Sequence, residues 1–176
     1  MRLFSQYDTR LGTQYHIQAT ELLGHEHWLV TEPFVYTLSD GNYVCVPTGF
    51  LTDGASVPRL LWNLIPPWGE HGQASVMHDY LCEYSKISDG SKYITIDRER
   101  VDKIFLEGLT ALNVSYTKRS LLYAGVSAYR KLTNPVTPSV TKFKALLEET
   151  IMQNYARTGS FSLTPEQMLY FNKLKT

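Results

Sequence analysis

Net charge is the first thing this sequence lacks. Its 17 Lys and Arg side chains balance 17 Asp and Glu across 176 residues, and no run of one sign stands out. That removes the electrostatic reason to expect binding to nucleic acid or to an anionic membrane. Long apolar runs are missing as well, since none approaches the roughly 20 residues that a membrane span requires. The opening MRLFSQYDTR has no apolar stretch behind it, so no signal peptide is expected there. Cysteine is scarce. Cys45 and Cys82 make no C-x-x-C spacing, and both fall in apolar segments, so two buried thiols are expected rather than a metal clip or a disulfide. No repeat or low-complexity tract is found.

What is present is the composition of a globular domain, 43% hydrophobic and 19% charged. The length suffices for one substantial core. There are 12 tyrosines, a residue that combines a large contact area with a polar tip and is favoured at interfaces.

Along the chain, residues 1–24 alternate loosely and suggest one or two short strands. Residues 27–30, 34–37 and 43–46 are aromatic and β-branched, and Ser39-Asp40-Gly41-Asn42 supplies turn chemistry, which predicts a hairpin. Ser56-Val57-Pro58 opens a short helix over 59–65 that stops at Pro66-Pro67. A longer helix follows over about 70–84. Residues 85–94 read as a loop, and 95–113, 116–132, 139–156 and 164–174 as helices. Small residues Ala124, Gly125 and Ala128 suit a close helix neighbour. The pattern predicts an α+β fold in which an N-terminal antiparallel β region packs on a cluster of four to five helices. The expected division is a domain over 1–134 and a C-terminal helical extension over 135–176.

The polar residues that chemistry needs concentrate between Thr48 and Leu81. Asp53 sits in the turn-forming Thr52-Asp53-Gly54, where it serves as a metal ligand, a general base, or simply a cap for its own loop. Arg59 and Ser56 follow; Arg59 suits an anionic ligand or an ion pair with Asp53 or Asp79. On the helix over 70–84, His71, Ser75, His78 and Cys82 recur at i, i+4, i+7 and i+11, one face beside the apolar stripe. Asp102 flanks the buried stripe of the next helix and needs a partner.

The segments TDGASVP, PPWG, HDYL and VDKIF, followed by a helix containing Tyr and Arg, resemble a phage-associated domain family of unknown function over roughly residues 30–132. That resemblance implies a phage or prophage origin and no demonstrated activity; together with the neutral charge and the C-terminal extension it leads to the expectation of a virion or assembly component located in the host cytoplasm or the virion. Other phage proteins are then the expected partners, met through Tyr-rich surface and residues 139–176.

Two chemical readings of the polar cluster stand beside that one. The order His71, His78-Asp79, Asp102 resembles the ligand order of HD-class metal-dependent phosphohydrolases, which implies a divalent transition metal and a bound-water nucleophile. His78-Asp79 is also similar to the His-Asp pair of secreted phospholipases A2, without their calcium loop or disulfides. In these readings His78, Asp79 and Asp53 are catalytic and Arg59, Ser56 and Ser75 bind substrate. In the other, the same residues form a buried hydrogen-bonded network that ties loop to helix.

Overall fold

The structure is a computed structural model that describes residues 6–54 and 68–175. The expected helix over 59–65, with Ser56 and Arg59, lies outside the described residues. The chain forms two compact units and passes back and forth between them: residues 1–11, 34–46 and 54–139 make the first, and residues 12–33, 47–53 and 140–176 the second. The expected tail helices therefore share a unit with residues from the N-terminal third.

The first unit carries a five-stranded sheet in the order β1 (Gln6–Tyr7), β4 (Phe34–Thr37), β5 (Tyr43–Val46), β7 (Lys86–Ser88), β8 (Tyr93–Thr95). All of its pairings are antiparallel. Period-two alternation decides its faces. Phe34 and Tyr36 pair with Val46 and Val44 and point inward, while Cys45, opposite Val35, points out. Cys45 is thus exposed, contrary to the expectation of a buried thiol, because its two neighbours took the core side. Both cysteines are free. The β4–β5 turn closes as its residues predict. Leu38 and Gly41 make the backbone bonds, Asp40 accepts the Asn42 N–H, and Gly41 takes a positive φ of 88°.

Among the described residues this unit also holds the helices α2 (Gly72–Tyr84), α3 (Arg98–Ala111) and α4 (Tyr116–Thr133). Asp97 caps α3 by accepting the Arg100 N–H at 2.7 Å, and Asn113 ends it in the left-handed region at φ 56°. Helices α2 and α3 approach closely at Gly108. A Cβ there would come within 2.8 Å of Met77 Cε and 2.5 Å of the Tyr7 hydroxyl. Ala74, Phe105, Leu109 and Val114 form a core cluster against which Leu122 and Val126 of α4 pack. The rest of α4 is open; none of its 18 residues is fully buried. Ala124, Gly125 and Ala128 are exposed, and nothing described lies within 4 Å of a Cβ at Gly125, so the expected close helix neighbour is not there.

The second unit combines a three-stranded antiparallel sheet, β2 (Thr13–Tyr15), β3 (Trp28–Val30) and β6 (Leu51–Thr52), with α1 (Ile17–Leu23), α5 (Lys142–Thr158) and α6 (Pro165–Leu174). Leu22, Leu29, Leu51, Leu147, Ile151 and Phe171 are its apolar centre. All three helix starts carry a side-chain cap, Thr141 accepting the Lys144 N–H on α5. Thr164 and Gln167 form a reciprocal capping box on α6, and His16 Nδ1 accepts the Ala19 N–H while its Nε2–H donates to the Phe161 carbonyl. Buried Glu148 reaches from α5 to accept the Leu51 N–H at 2.9 Å.

Candidate functional site

Helix α2 is buried nearly all round from Gly72 to His78, so its polar residues must find partners inside the protein. His71 is the N-cap of α2. Its carbonyl accepts both the Ser75 N–H at 3.0 Å and the Ser75 hydroxyl at 3.2 Å. His78 stands seven residues on, about 10.5 Å along the axis. Asp79, half-buried, points roughly 100° round the helix from His78.

His78 meets Asp102 of α3. The ring Nε2 lies 3.0 Å from Asp102 Oδ1, and Arg130 of α4 donates from Nε to Asp102 Oδ2 at 2.7 Å. Arg98 Nε stands 3.7 Å from the same Oδ1. The carboxylate side chain is fully buried. Burial alone would push its carboxyl up, but the bonds from His78 and Arg130 and the nearby Arg98 charge outweigh that and hold it below its usual value. An anionic Asp102 must be given a proton to share, so His78 carries its proton on Nε2. Burial, and then the Arg98 charge, lower the His78 pKa and favour the neutral ring despite the carboxylate.

The other ring nitrogen faces Cys82. Its Sγ lies 3.7 Å from Nδ1 and 3.8 Å from Nε2, and Phe105 covers the ring at 4.7 Å between centroids. Cys82, His78 and Asp102 thus come in the order of a thiol relay, but the sulfur is equidistant from both nitrogens rather than on the line of one. Burial also raises the thiol far above its usual pKa, which suppresses the thiolate a nucleophile needs. Nε2 is thus committed to Asp102, while Cys82 and Phe105 pack against the rest of the buried ring.

Of the residues nominated from sequence, the structure brings together His78 and Asp102 and ties Ser75 to His71. Asp53 belongs to the second unit, where its Oδ2 lies 3.9 Å from His25 Nε2. Among the described residues, no three His, Cys, Asp or Glu side chains are placed so that they could hold a metal ion together. Sequence reasoning missed Arg130 and Arg98. The available signal was Asp102 itself: a carboxylate beside a buried stripe demands a cation, and Arg98 stands four residues before it.

The fold and this network define an α+β chain built around a buried His-Asp-Arg cluster. Residues 28–126, more than half of the chain, match the family described as protein of unknown function (DUF1353), and the chain belongs to that family. It is also similar to the uncharacterized protein y4jT of Sinorhizobium fredii (strain NBRC 101917 / NGR234), with 34% identity over 86 residues. That match covers 48% of this chain and 23% of y4jT, so the chain spans under a quarter of that relative's length. No solved structure matches. No helix among the described residues is long and apolar enough to cross a membrane.

Proposed function

We propose that this protein is a binding and assembly component encoded by a phage or prophage, and that its His78–Asp102–Arg130 cluster is a structural clamp. The observation that carries this reading is the saturation of the cluster. Asp102 spends one oxygen on His78 and the other on Arg130, and the thiol and an aromatic ring occupy the remaining approaches to the imidazole. A polar network satisfied in this way fixes how three helices pack. Surface for partners is available elsewhere. Tyr116, Leu121, Tyr129 and Leu132 stand exposed on α4, and Leu169, Tyr170 and Leu174 on α6. The balanced charge argues for protein partners over nucleic acid.

The test is mass spectrometry of purified particles from a phage or induced prophage that carries the gene, with light scattering of the isolated chain. A fixed copy number in particles, or a stable complex with another particle protein, is expected. A monodisperse monomer absent from particles would sink the proposal.

The hydrolase reading keeps one specific support, the Cys82–His78–Asp102 order. It requires an accessible thiol or a metal at His78. Stoichiometric metal that disappears in His78→Gln without unfolding would favour it over the clamp.

A further inference from the structure

A cleft of the second unit has a chemistry of its own. It opens beside the end of β2 and the start of α1, and the connection between α5 and α6 walls its other side, at residues 159–162. Its volume is about 320 Å³, within the roughly 300–1,000 Å³ of small-molecule sites. The wall is fixed in place from both directions. His16 Nε2–H donates to the Phe161 carbonyl at 2.9 Å. Gln18 holds both backbone groups of Leu163, its Nε2–H donating to the carbonyl at 2.9 Å and its Oε1 accepting the N–H at 2.7 Å. From α5, Asn154, only 3% exposed, donates to the Ser162 carbonyl at 2.8 Å. A cleft shaped by such bonds loses little ordering entropy when a ligand enters.

The same bonds decide which lining groups remain for a ligand. His16 and the Gln18 amide are engaged within the protein. The Gln14 amide and the Ser162 hydroxyl make no hydrogen bond among the described residues, and the Ser160 hydroxyl, which accepts the Ser162 N–H, keeps its own hydrogen to donate. Two aromatic rings also line the cleft. Tyr15 is 41% exposed and braced edge-on by Trp28, with centroids 5.4 Å apart. Phe161 lies flat on Tyr155 at 4.1 Å. No Asp, Glu, Lys or Arg lines the space. A phosphate or carboxylate would find no cation there, and a metal ion no carboxylate or thiolate. What the lining matches is a neutral molecule with hydroxyls along its edge and C–H groups on its face.

We propose that this cleft binds a neutral saccharide, with the C–H face of a sugar ring against Tyr15 and its hydroxyls bonded to Gln14, Ser160 and Ser162. An amide both donates and accepts, as does a serine hydroxyl, so together they meet sugar hydroxyls in either role. An aromatic ring offers the apolar contact that those hydroxyls do not use. A free sugar and a segment of a glycan chain present the same chemistry. The cleft belongs to the second unit and uses no residue of the His78 cluster, so its failure would leave the assembly reading as it stands.

The experiment is an NMR titration of the isotope-labelled full chain with glucose, N-acetylglucosamine, maltotriose and triacetylchitotriose, each up to about 50 mM to reach millimolar affinities. Saturable shifts of the Gln14 side-chain amide and the Ser160 and Ser162 backbone amides are expected with at least one of them. A monosaccharide that binds as well as a trisaccharide identifies a free sugar as the ligand, and a stronger trisaccharide identifies a glycan segment. Tyr15→Ala and Gln14→Ala, both at exposed positions, should each weaken binding roughly fivefold, the loss of one ring contact or one hydrogen bond. The amide spectrum of each variant checks its fold, and His78→Gln should bind as the parent does. No saturable shift with any of the four saccharides overturns the proposal. So does an affinity unchanged in both cleft variants, or inorganic phosphate shifting the same amides as strongly.

Discussion

Two histidines, His78 in the first unit and His27 in the second, are comparably buried, and their environments differ in one respect. His78 shares its Nε2 proton with a carboxylate, and a thiol packs 3.7 Å from Nδ1 and 3.8 Å from Nε2. His27 has a partner at Nδ1 alone. Burial pushes both rings toward neutrality. The difference shows that burial and a shifted pKa do not by themselves mark a functional histidine. What separates the two is the partner: the ring of His78 ties two helices through a carboxylate, whereas that of His27 is bonded to the backbone two residues away.

The comparison breaks most visibly at Asp102. Asp102→Ala leaves Arg130, Arg98 and His78 around a missing anion, and should cost about 3–5 kcal/mol in urea unfolding. A loss under 1 kcal/mol would mean that the cluster is no clamp. In the second unit, Glu148→Ala removes the acceptor of the buried Leu51 N–H, with an expected cost of about 1–3 kcal/mol by the same measurement.

Acid separates the two histidines further. Each ring titrates lower in the folded state than the ordinary 6.5, so below pH 6.5 the unfolded chain binds more protons than the native one. Stability is therefore full above about pH 6.5 and falls with pH below it. For His27 the loss continues down to about pH 4. His27→Gln should flatten the stability slope in that window by up to about 1.4 kcal/mol per pH unit. Asp102 has the same sign further down, since its stabilisation is lost as pH falls through its lowered folded pKa. A slope unchanged by His27→Gln would show that its ring is not held neutral.

The smallest effects sharpen the contrast. His25→Ala, at an exposed position, should change stability by no more than about 0.5 kcal/mol. Thiol labelling followed by mass spectrometry should modify exposed Cys45 in the native protein and reach Cys82 only on unfolding. Early labelling of Cys82 would open the His78 cluster to the hydrolase reading.

Much of the fold was legible because its signals are local. The β4–β5 hairpin, the helices read over 70–84, 95–113, 116–132 and 139–156, and the stripe joining His71, Ser75, His78 and Cys82 can all be read from a few neighbouring turns of chain. Helix α1 was not. Its seven residues are too few to be stable alone, and it stands on His16 capping and on the burial of Ala19 and Leu22. The β7–β8 hairpin was read as a loop because its strands are three residues each. Its turn rests on Asp89, which accepts from the Ser91 N–H, the Ser91 hydroxyl and the Lys92 N–H. The need of Asp102 for a partner could be stated from its place beside an apolar stripe; that the partners are His78 and Arg130 could not.

By itself, the sequence determined which segments turn, alternate or coil, and which side chains are costly to bury, because propensity and periodicity act over one or two turns of chain. The tertiary structure decided which of those side chains meet. It set Asp53 3.9 Å from His25, and it closed Asp102 between His78 and Arg130, 24 and 28 residues away. Pairings of that range depend on strand register and helix packing, which no local pattern encodes.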